Sequence, residues 1–75
     1  MIVIRDADAF GPALAGLRGM FGLTQRGLVD ETDGAFSQSQ IADWESNRFR
    51  PGLPSLIRIV NALGYDLALV PRRRS

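Results

Sequence analysis

The chain has 75 residues with nine arginines, eight acidic residues and a formal net charge of +1, and it contains neither cysteine nor histidine. The absence of these two residue types excludes disulfides and removes most zinc sites, so we expect no cofactor. A chain of this length buries only about 60% of the surface of its unfolded form. We therefore expect one domain with a thin core, which association with another molecule would stabilise.

The basic residues are concentrated towards the C-terminal end. Residues 1–45 carry three arginines and seven acidic residues, whereas residues 46–75 carry six arginines and one acidic residue, Asp66. The guanidinium group of arginine binds phosphates and base edges through two parallel hydrogen bonds. This distribution is compatible with a nucleic-acid partner.

The hydropathy pattern predicts neither a membrane span nor a signal peptide. The sequence has no apolar run of about 18 residues, and its apolar start becomes acidic at Asp6. We therefore expect a cytoplasmic protein.

The first third of the chain predicts a short strand followed by a helix. Residues 1–5 (MIVIR) are apolar and rich in β-branched side chains, as in a brief strand. Asp6 or Asp8 is suited to cap the helix that follows, and Gly22 is placed to end it. The apolar face of this helix consists of residues at helical spacing, namely Phe10, Leu14, Leu17 and Phe21.

The middle third predicts two short helices joined by a turn. Thr24 is the expected cap of the first helix, and Asp33-Gly34 is a strong turn pair. Ser37 is the expected cap of the second helix, and Asn47 is placed to end it. Helical spacing turns two apolar residues of this second helix inward and leaves the polar ones outward. The inward residues are Ile41 and Trp44, and the outward face includes Gln38, Ser39 and Asp43.

The last third predicts a loop, a helix and a second strand. Two prolines and a glycine in RFRPGLP favour the loop, and an apolar helix is expected from about Pro54 to Leu63, ended by Gly64. Residues 65–70 (YDLALV) alternate in polarity like a strand, before a basic tail at 71–75. The predicted fold is a single, mainly α domain of about four helices with short N- and C-terminal β-strands.

The two middle helices form a helix-turn-helix candidate, in which the second helix is able to lie in a DNA major groove. Three stretches, RGMFGLTQRGLVDE, FSQSQIADWESN and RPGLPSLIRIVNALG, resemble the phage repressor and Cro-like (Xre-type) helix-turn-helix family. The resemblance extends from Phe10 to Leu63. It implies a lambda-repressor-like fold and sequence-specific binding of double-stranded DNA.

The resemblance also implies roles for individual residues. Gln25, in GLTQ, would contact a phosphate from the start of its helix, and the helix that starts at Ser37 would present its first turn to base edges. Arg18 and Glu45 resemble the buried ion pair of the family, which is a structural role. The turn between the two helices is about two residues longer than the family pattern, so we expect the second helix to approach the groove at a shifted angle.

The residue types in this region suit DNA recognition without reference to the family. Glutamine pairs with adenine through two hydrogen bonds, serine donates or accepts, and neither has a charge that binds every sequence equally. Arginines supply the attraction to phosphate. The alternative is that the polar residues simply form a solvated helix face. The candidate DNA-binding residues are Gln25, Arg26, Ser37, Gln38, Ser39, Gln40, Asp43, Arg48 and Arg50.

Neither a metal site nor an enzyme is predicted. The acidic stretch DETDG fails the EF-hand pattern, because Val29 occupies the first ligand position and Gln40 the twelfth, where a glutamate is required. Without histidine, cysteine or lysine, the remaining polar residues form no recognisable catalytic constellation.

A homodimer is expected because one recognition helix reads only a few base pairs, and two are usually placed on half-sites about 34 Å apart. Candidate dimer contacts are the apolar residues of the terminal strands, Ile2, Ile4, Leu67 and Leu69. The leading hypothesis is a phage or bacterial transcriptional regulator bound to operator DNA. The alternative is an antitoxin or adaptor with a toxin as protein partner, because YDLALVPRRR resembles the strand-plus-basic end of some antitoxins. Arg72, Arg73 and Arg74 are either a solubilising tail or a phosphate-binding arm.

Overall fold

A computed structural model describes residues 1–73, which form one 3₁₀ turn and four α-helices. The 3₁₀ turn is Ala7–Ala9, and the helices are α1 (Phe10–Met20), α2 (Gln25–Glu31), α3 (Gln38–Glu45) and α4 (Leu53–Ala62). No helix within the described range is long and apolar enough to cross a membrane. Arg74 and Ser75, at the end of the predicted basic tail, lie outside the described residues.

The helices begin at the side chains that the sequence predicts as caps. The Thr24 side chain accepts a hydrogen bond from the Gly27 amide at 2.9 Å and thereby caps α2. Ser37 caps α3 in the same way, because its Oγ accepts from the Gln40 amide at 3.1 Å. These bonds satisfy amide groups that have no partner within the helix. Both predicted caps are confirmed, and Asp6 caps the 3₁₀ turn rather than α1 itself.

Three helices end at residues with left-handed backbone. Gly22, Asn47 and Gly64, which follow α1, α3 and α4, have φ angles of 66°, 61° and 82°. This conformation stops a right-handed helix, and glycine and asparagine adopt it at the lowest cost. All three predicted helix ends are therefore confirmed.

The core lies between the four helices and is small. Phe36, in the turn before α3, is buried and places its ring edge-on to Trp44 with centroids 4.9 Å apart. Phe21 differs from its predicted place in the inward stripe of α1, because it lies beyond the last turn of the helix and is 53% exposed. The buried apolar residues are Leu14, Leu17, Leu28, Phe36, Ile41, Trp44, Ile59 and Leu63.

The structure differs from the sequence prediction at the two terminal segments. Residues 1–5 and 65–70, predicted as strands, carry no strand in the described part of the chain. The segments lie side by side, since residues 3–5 and 70–72 line one small cleft, but no backbone hydrogen bond joins them within residues 1–73. A strand is defined by such bonds, so apolar alternation alone does not create one. The exposed fraction of these residues ranges from 43% to 99% for Ile2, Ile4, Leu67 and Leu69.

Candidate nucleic-acid interface

An ion pair joins the end of α3 to α1. Arg18 donates from Nε to Glu45 Oε2 at 2.7 Å and from Nη2 to Oε1 at 2.9 Å, so the pair is bidentate. Arg18 Nη1 also donates to the carbonyl oxygen of Leu23 at 2.8 Å, and Gln25 Nε2 donates to Glu45 Oε1 at 3.2 Å. Two parallel hydrogen bonds to a carboxylate fix the relative orientation of the two side chains and also strengthen the pair. This network therefore fixes the end of α3 against both α1 and the start of α2.

The environment of Glu45 favours its charged form. Its side chain is only 8% exposed, and this burial by itself would raise the pKa of the carboxyl group. The hydrogen bonds from Arg18 and Gln25, together with the positive charge of Arg18, outweigh burial and hold the pKa of Glu45 below its ordinary value. The carboxylate consequently stays ionised and keeps its partners at neutral pH.

The start of α1 lies directly against the end of α3. A Cβ atom on Gly11 would lie 2.5 Å from the carbonyl oxygen of Glu45 and 2.6 Å from Asn47 Oδ1, which is closer than real contacts allow. The Gly11 amide donates to Asn47 Oδ1 at 3.2 Å, and Asn47 Nδ2 donates to the carbonyl oxygen of Asp8 at 2.8 Å. Asn47 thus bridges the start of α1 and the end of α3. A glycine is required at position 11 because any larger residue would keep the two helices apart.

The turn between α2 and α3 is anchored at both ends. Thr32 is buried, and its hydroxyl donates to the carbonyl oxygen of Val29 at 2.7 Å. Asp33 and Gly34 reverse the chain with φ angles of 54° and 74°, and Phe36 enters the core. The additional residues predicted for this turn are therefore part of the folded domain and hold the start of α3 in place.

The first turn of α3 presents four exposed polar side chains, two of which are committed to the backbone. Gln40 Oε1 accepts from the Ser37 amide at 2.9 Å, while Ser37 Oγ accepts from the Gln40 amide. This reciprocal capping box is readable in the sequence as S-x-x-Q. Gln38 and Ser39 have no side-chain hydrogen bond to any other described residue and are open to solvent. Among the predicted base readers, these two have the greatest freedom to bind a ligand.

The candidate phosphate-binding arginines lie on both sides of this turn. Arg26, in the first turn of α2, is exposed, as are Arg48 and Arg50 beyond α3. The amides of Arg48 and Phe49 both donate to the carbonyl oxygen of Asp43, at 2.9 and 3.4 Å, which holds the loop close to the helix end. Asp43 itself is partly buried. The three arginines and the polar first turn of α3 therefore lie in the same folded domain.

Arg50 has a partner that sequence reasoning did not find. Its Nη2 group donates to the carboxylate of Asp8, and both side chains remain accessible to solvent. The two residues are 42 positions apart, so no local pattern could have indicated the contact. Asn47 is likewise 36 and 39 positions from its partners Gly11 and Asp8, so no local pattern could have indicated these contacts.

Comparison with known proteins gives a family and a fold. The family model described as Helix-turn-helix matches residues 14–70, well over half of the chain. A solved structure described as a HipB-O1-O2 complex has a chain with 21% sequence identity and a TM-score of 0.78, covering 95% of this chain and 100% of that chain. No curated protein matches the chain significantly. The chain belongs to the Xre-type helix-turn-helix family of DNA-binding regulators.

Proposed function

We propose that this protein is a sequence-specific transcriptional regulator that reads the major groove of double-stranded operator DNA with α3. The observation that carries this proposal is the first turn of α3, where Gln38 and Ser39 are exposed while the Ser37–Gln40 capping box holds the backbone. Glutamine and serine match the donor and acceptor patterns of base edges. By occupying a promoter, such a protein acts as a repressor of the phage or Cro-like kind.

The surrounding charges support DNA as the ligand. Arg26, Arg48 and Arg50 are exposed near the two ends of the helix-turn-helix, where the phosphates of a bound duplex would lie. Gln25 adds an amide at the start of α2, although that amide also donates to Glu45. Cations against phosphate supply affinity for any sequence, and the uncharged side chains supply selectivity. The two roles are thus divided between different residues of one interface.

We further propose a cytoplasmic homodimer that is formed through the terminal segments. Ile2, Ile4, Leu67 and Leu69 leave apolar surface exposed, and Leu69 is 99% exposed. Pairing of these segments with those of a second copy would supply the backbone hydrogen bonds that define strands. The resulting two-fold axis would place the two copies of α3 on half-sites about 34 Å apart.

An antitoxin or adaptor is the second candidate function. The observation that favours it is the same exposed apolar stretch around Leu67 and Leu69, followed by Arg72 and Arg73. This combination would also suit a protein partner such as a toxin. Co-purification of one defined partner protein from the native host would favour this candidate, and a purely self-associating protein would favour the regulator.

Selection of bound duplexes from a random DNA pool tests the proposed function. We expect enrichment of a palindromic sequence with half-sites about one helical turn apart, at 10–10.5 base pairs. A variant with Gln38→Ala should fail to enrich the same sequence. If the wild-type protein enriches no sequence at all, the regulator proposal is wrong and the adaptor becomes the better candidate.

A further inference from the structure

The guanidinium group of Arg50 is paired with the carboxylate of Asp8, which lies 42 positions earlier in the chain. Arg50 Nη2 donates to Asp8 Oδ1, while no other nitrogen of this guanidinium is bonded within residues 1–73. The Asp8 side chain is 79% exposed and that of Arg50 is 50% exposed. Water, or a phosphate from a duplex, is therefore able to reach both partners.

Hydrogen bonds hold the backbone around Asp8 in place. Asp8 therefore lies beside Arg50 because of the fold, and not because a free chain end reaches it. The carbonyl oxygen of Asp8 accepts from Asn47 Nδ2 at 2.8 Å, and Asn47 Oδ1 accepts from the Gly11 amide at 3.2 Å. Asn47 and Arg50 belong to the same loop, directly after α3. One bridge thus keeps the turn that carries Asp8 beside the loop that carries Arg50.

A phosphate that approaches Arg50 meets a charge that already has a partner. The phosphate must either displace the Asp8 carboxylate or lie beside it. In the second case the negative charges of the phosphate and the carboxylate repel one another. The attraction that a cation offers to DNA depends on how completely it neutralises a phosphate. We infer that Asp8 competes with phosphate for Arg50 and so lowers the affinity of the protein for DNA of every sequence. This inference rests on the proposed function.

The test compares Asp8→Asn with Asp6→Asn in the full chain. Asparagine at position 8 keeps the size and one acceptor oxygen and removes the charge. Asp6 lies two residues away in the cap of the same 3₁₀ turn, its carboxylate accepts from the Ala9 amide, and asparagine caps as well as aspartate does. Asp6→Asn therefore changes the net charge equally without touching the Arg50 pair. Thermal melting establishes that both variants fold.

The measurement is the dissociation constant for a fluorescent mixed-sequence duplex at several salt concentrations. We expect Asp8→Asn to bind about threefold to tenfold more tightly, with a salt slope steeper by up to about one, since Arg50 gains a full phosphate contact. Asp6→Asn should change affinity by less than about twofold. In an Arg50→Ala background, Asp8→Asn should have no effect beyond that of Asp6→Asn, because the two residues act as a coupled pair.

Several outcomes would overturn the inference. Asp8→Asn binding no more tightly than Asp6→Asn would do so, as would an effect of Asp8→Asn in the Arg50→Ala background that exceeds the effect of Asp6→Asn there. If Arg50→Ala weakens binding while Asp8→Asn leaves it unchanged, the inference fails and the proposed function stands. If the wild-type chain binds neither mixed-sequence nor selected duplexes, both fail together.

Discussion

Glu45 and Arg18 form a bidentate ion pair, with contacts of 2.7 and 2.9 Å, that joins the last turn of α3 to α1. A carboxylate at the C-terminal end of a helix faces the negative end of the helix dipole, and burial adds a desolvation cost. Arg18 and Gln25 offset both effects. Glu45 thus helps to fix the orientation of α3 with respect to both α1 and α2.

Replacing Glu45 with glutamine should destabilise the whole domain. The substitution leaves the guanidinium of Arg18, whose side chain is 21% exposed, without its charged partner. We expect the free energy of unfolding to fall by about 2 kcal/mol, measured by urea denaturation monitored through Trp44 fluorescence. Glu31→Gln, at an exposed position of α2, is the control and should cost less than about 0.5 kcal/mol. Equal losses in the two variants would contradict the structural role of the pair.

The same carboxylate should make stability depend on acidity. Because the pKa of Glu45 is lower in the folded than in the unfolded chain, folding releases its proton, and the stabilisation is fully present above the ordinary value of about 4.5. That stabilisation is lost as the pH falls through the lower, folded-state pKa. Urea denaturation at a series of pH values from about 6 to about 3 should show a loss that Glu45→Gln reduces. Identical pH profiles for wild type and variant would show that Glu45 is not the group responsible.

The contact between α1 and α3 predicts opposite effects for two glycines of one helix. Gly11→Ala places a methyl group against the backbone of Glu45 and the side chain of Asn47, and should cost about 1–3 kcal/mol. Gly16 has open space around it, so Gly16→Ala should stabilise by about 0.5–1 kcal/mol through higher helix propensity. Differential scanning calorimetry measures both. A neutral Gly11→Ala substitution would mean that the two helices do not approach as described.

Local elements were predictable from the sequence because their causes are local. Thr24 and Ser37 cap helices through their own side chains, and Asn47 ends α3 through its own backbone conformation. Strands at residues 1–5 and 65–70 were predicted from apolar residues alone, but a strand depends on a partner as well as on its own residues, and the described residues show none there. The Asp8–Arg50 pair and the approach of α1 at Gly11 also depend on residues far apart in the chain.

Two features near the candidate site are readable from neighbouring residues in the sequence, although the sequence interpretation did not include them. The S-x-x-Q pattern at Ser37 and Gln40 indicates a capping box, in which the carbonyl oxygen of the Gln40 side chain accepts a hydrogen bond from the Ser37 amide. Phe36, directly before this pattern, is the one large apolar residue of the turn at residues 32–36 and enters the core. The family resemblance identified the helix-turn-helix, while the hydrogen bonds distinguish its structural residues from those whose side chains are open to solvent.

Gln38 and Gln40 should therefore differ in what their substitution changes. Gln40→Ala removes half of the capping box and should lower the free energy of unfolding by about 0.5–1 kcal/mol. Gln38→Ala removes an exposed side chain and should leave the free energy of unfolding within about 0.5 kcal/mol of the wild-type value. Chemical denaturation of the two variants measures the difference. If Gln38→Ala proves to be the more destabilising variant, the division of roles along α3 is wrong.

Arg50 should contribute to DNA affinity without regard to sequence. Arg50→Ala should weaken the binding of selected and mixed-sequence duplexes alike and reduce the salt slope by less than about one, because Asp8 already neutralises part of the charge of Arg50. Arg58→Ala, at an exposed position of α4, removes the same charge outside the proposed interface and serves as the control. Fluorescence anisotropy titrations at several salt concentrations provide the comparison. If the two substitutions weaken binding equally, the contribution of Arg50 comes from the net charge of the protein and not from its position in the loop after α3.

The most direct test of base recognition by α3 is the ratio of affinities for a selected duplex and a scrambled duplex, measured for the wild-type chain and Gln38→Ala under identical salt. Loss of one well-placed glutamine contact is worth about 1–3 kcal/mol of discrimination. We therefore predict that the ratio falls about fivefold or more while the melting temperature of the variant stays close to that of the wild type. An unchanged ratio in the folded variant would contradict the assignment of α3 as the helix that reads DNA sequence.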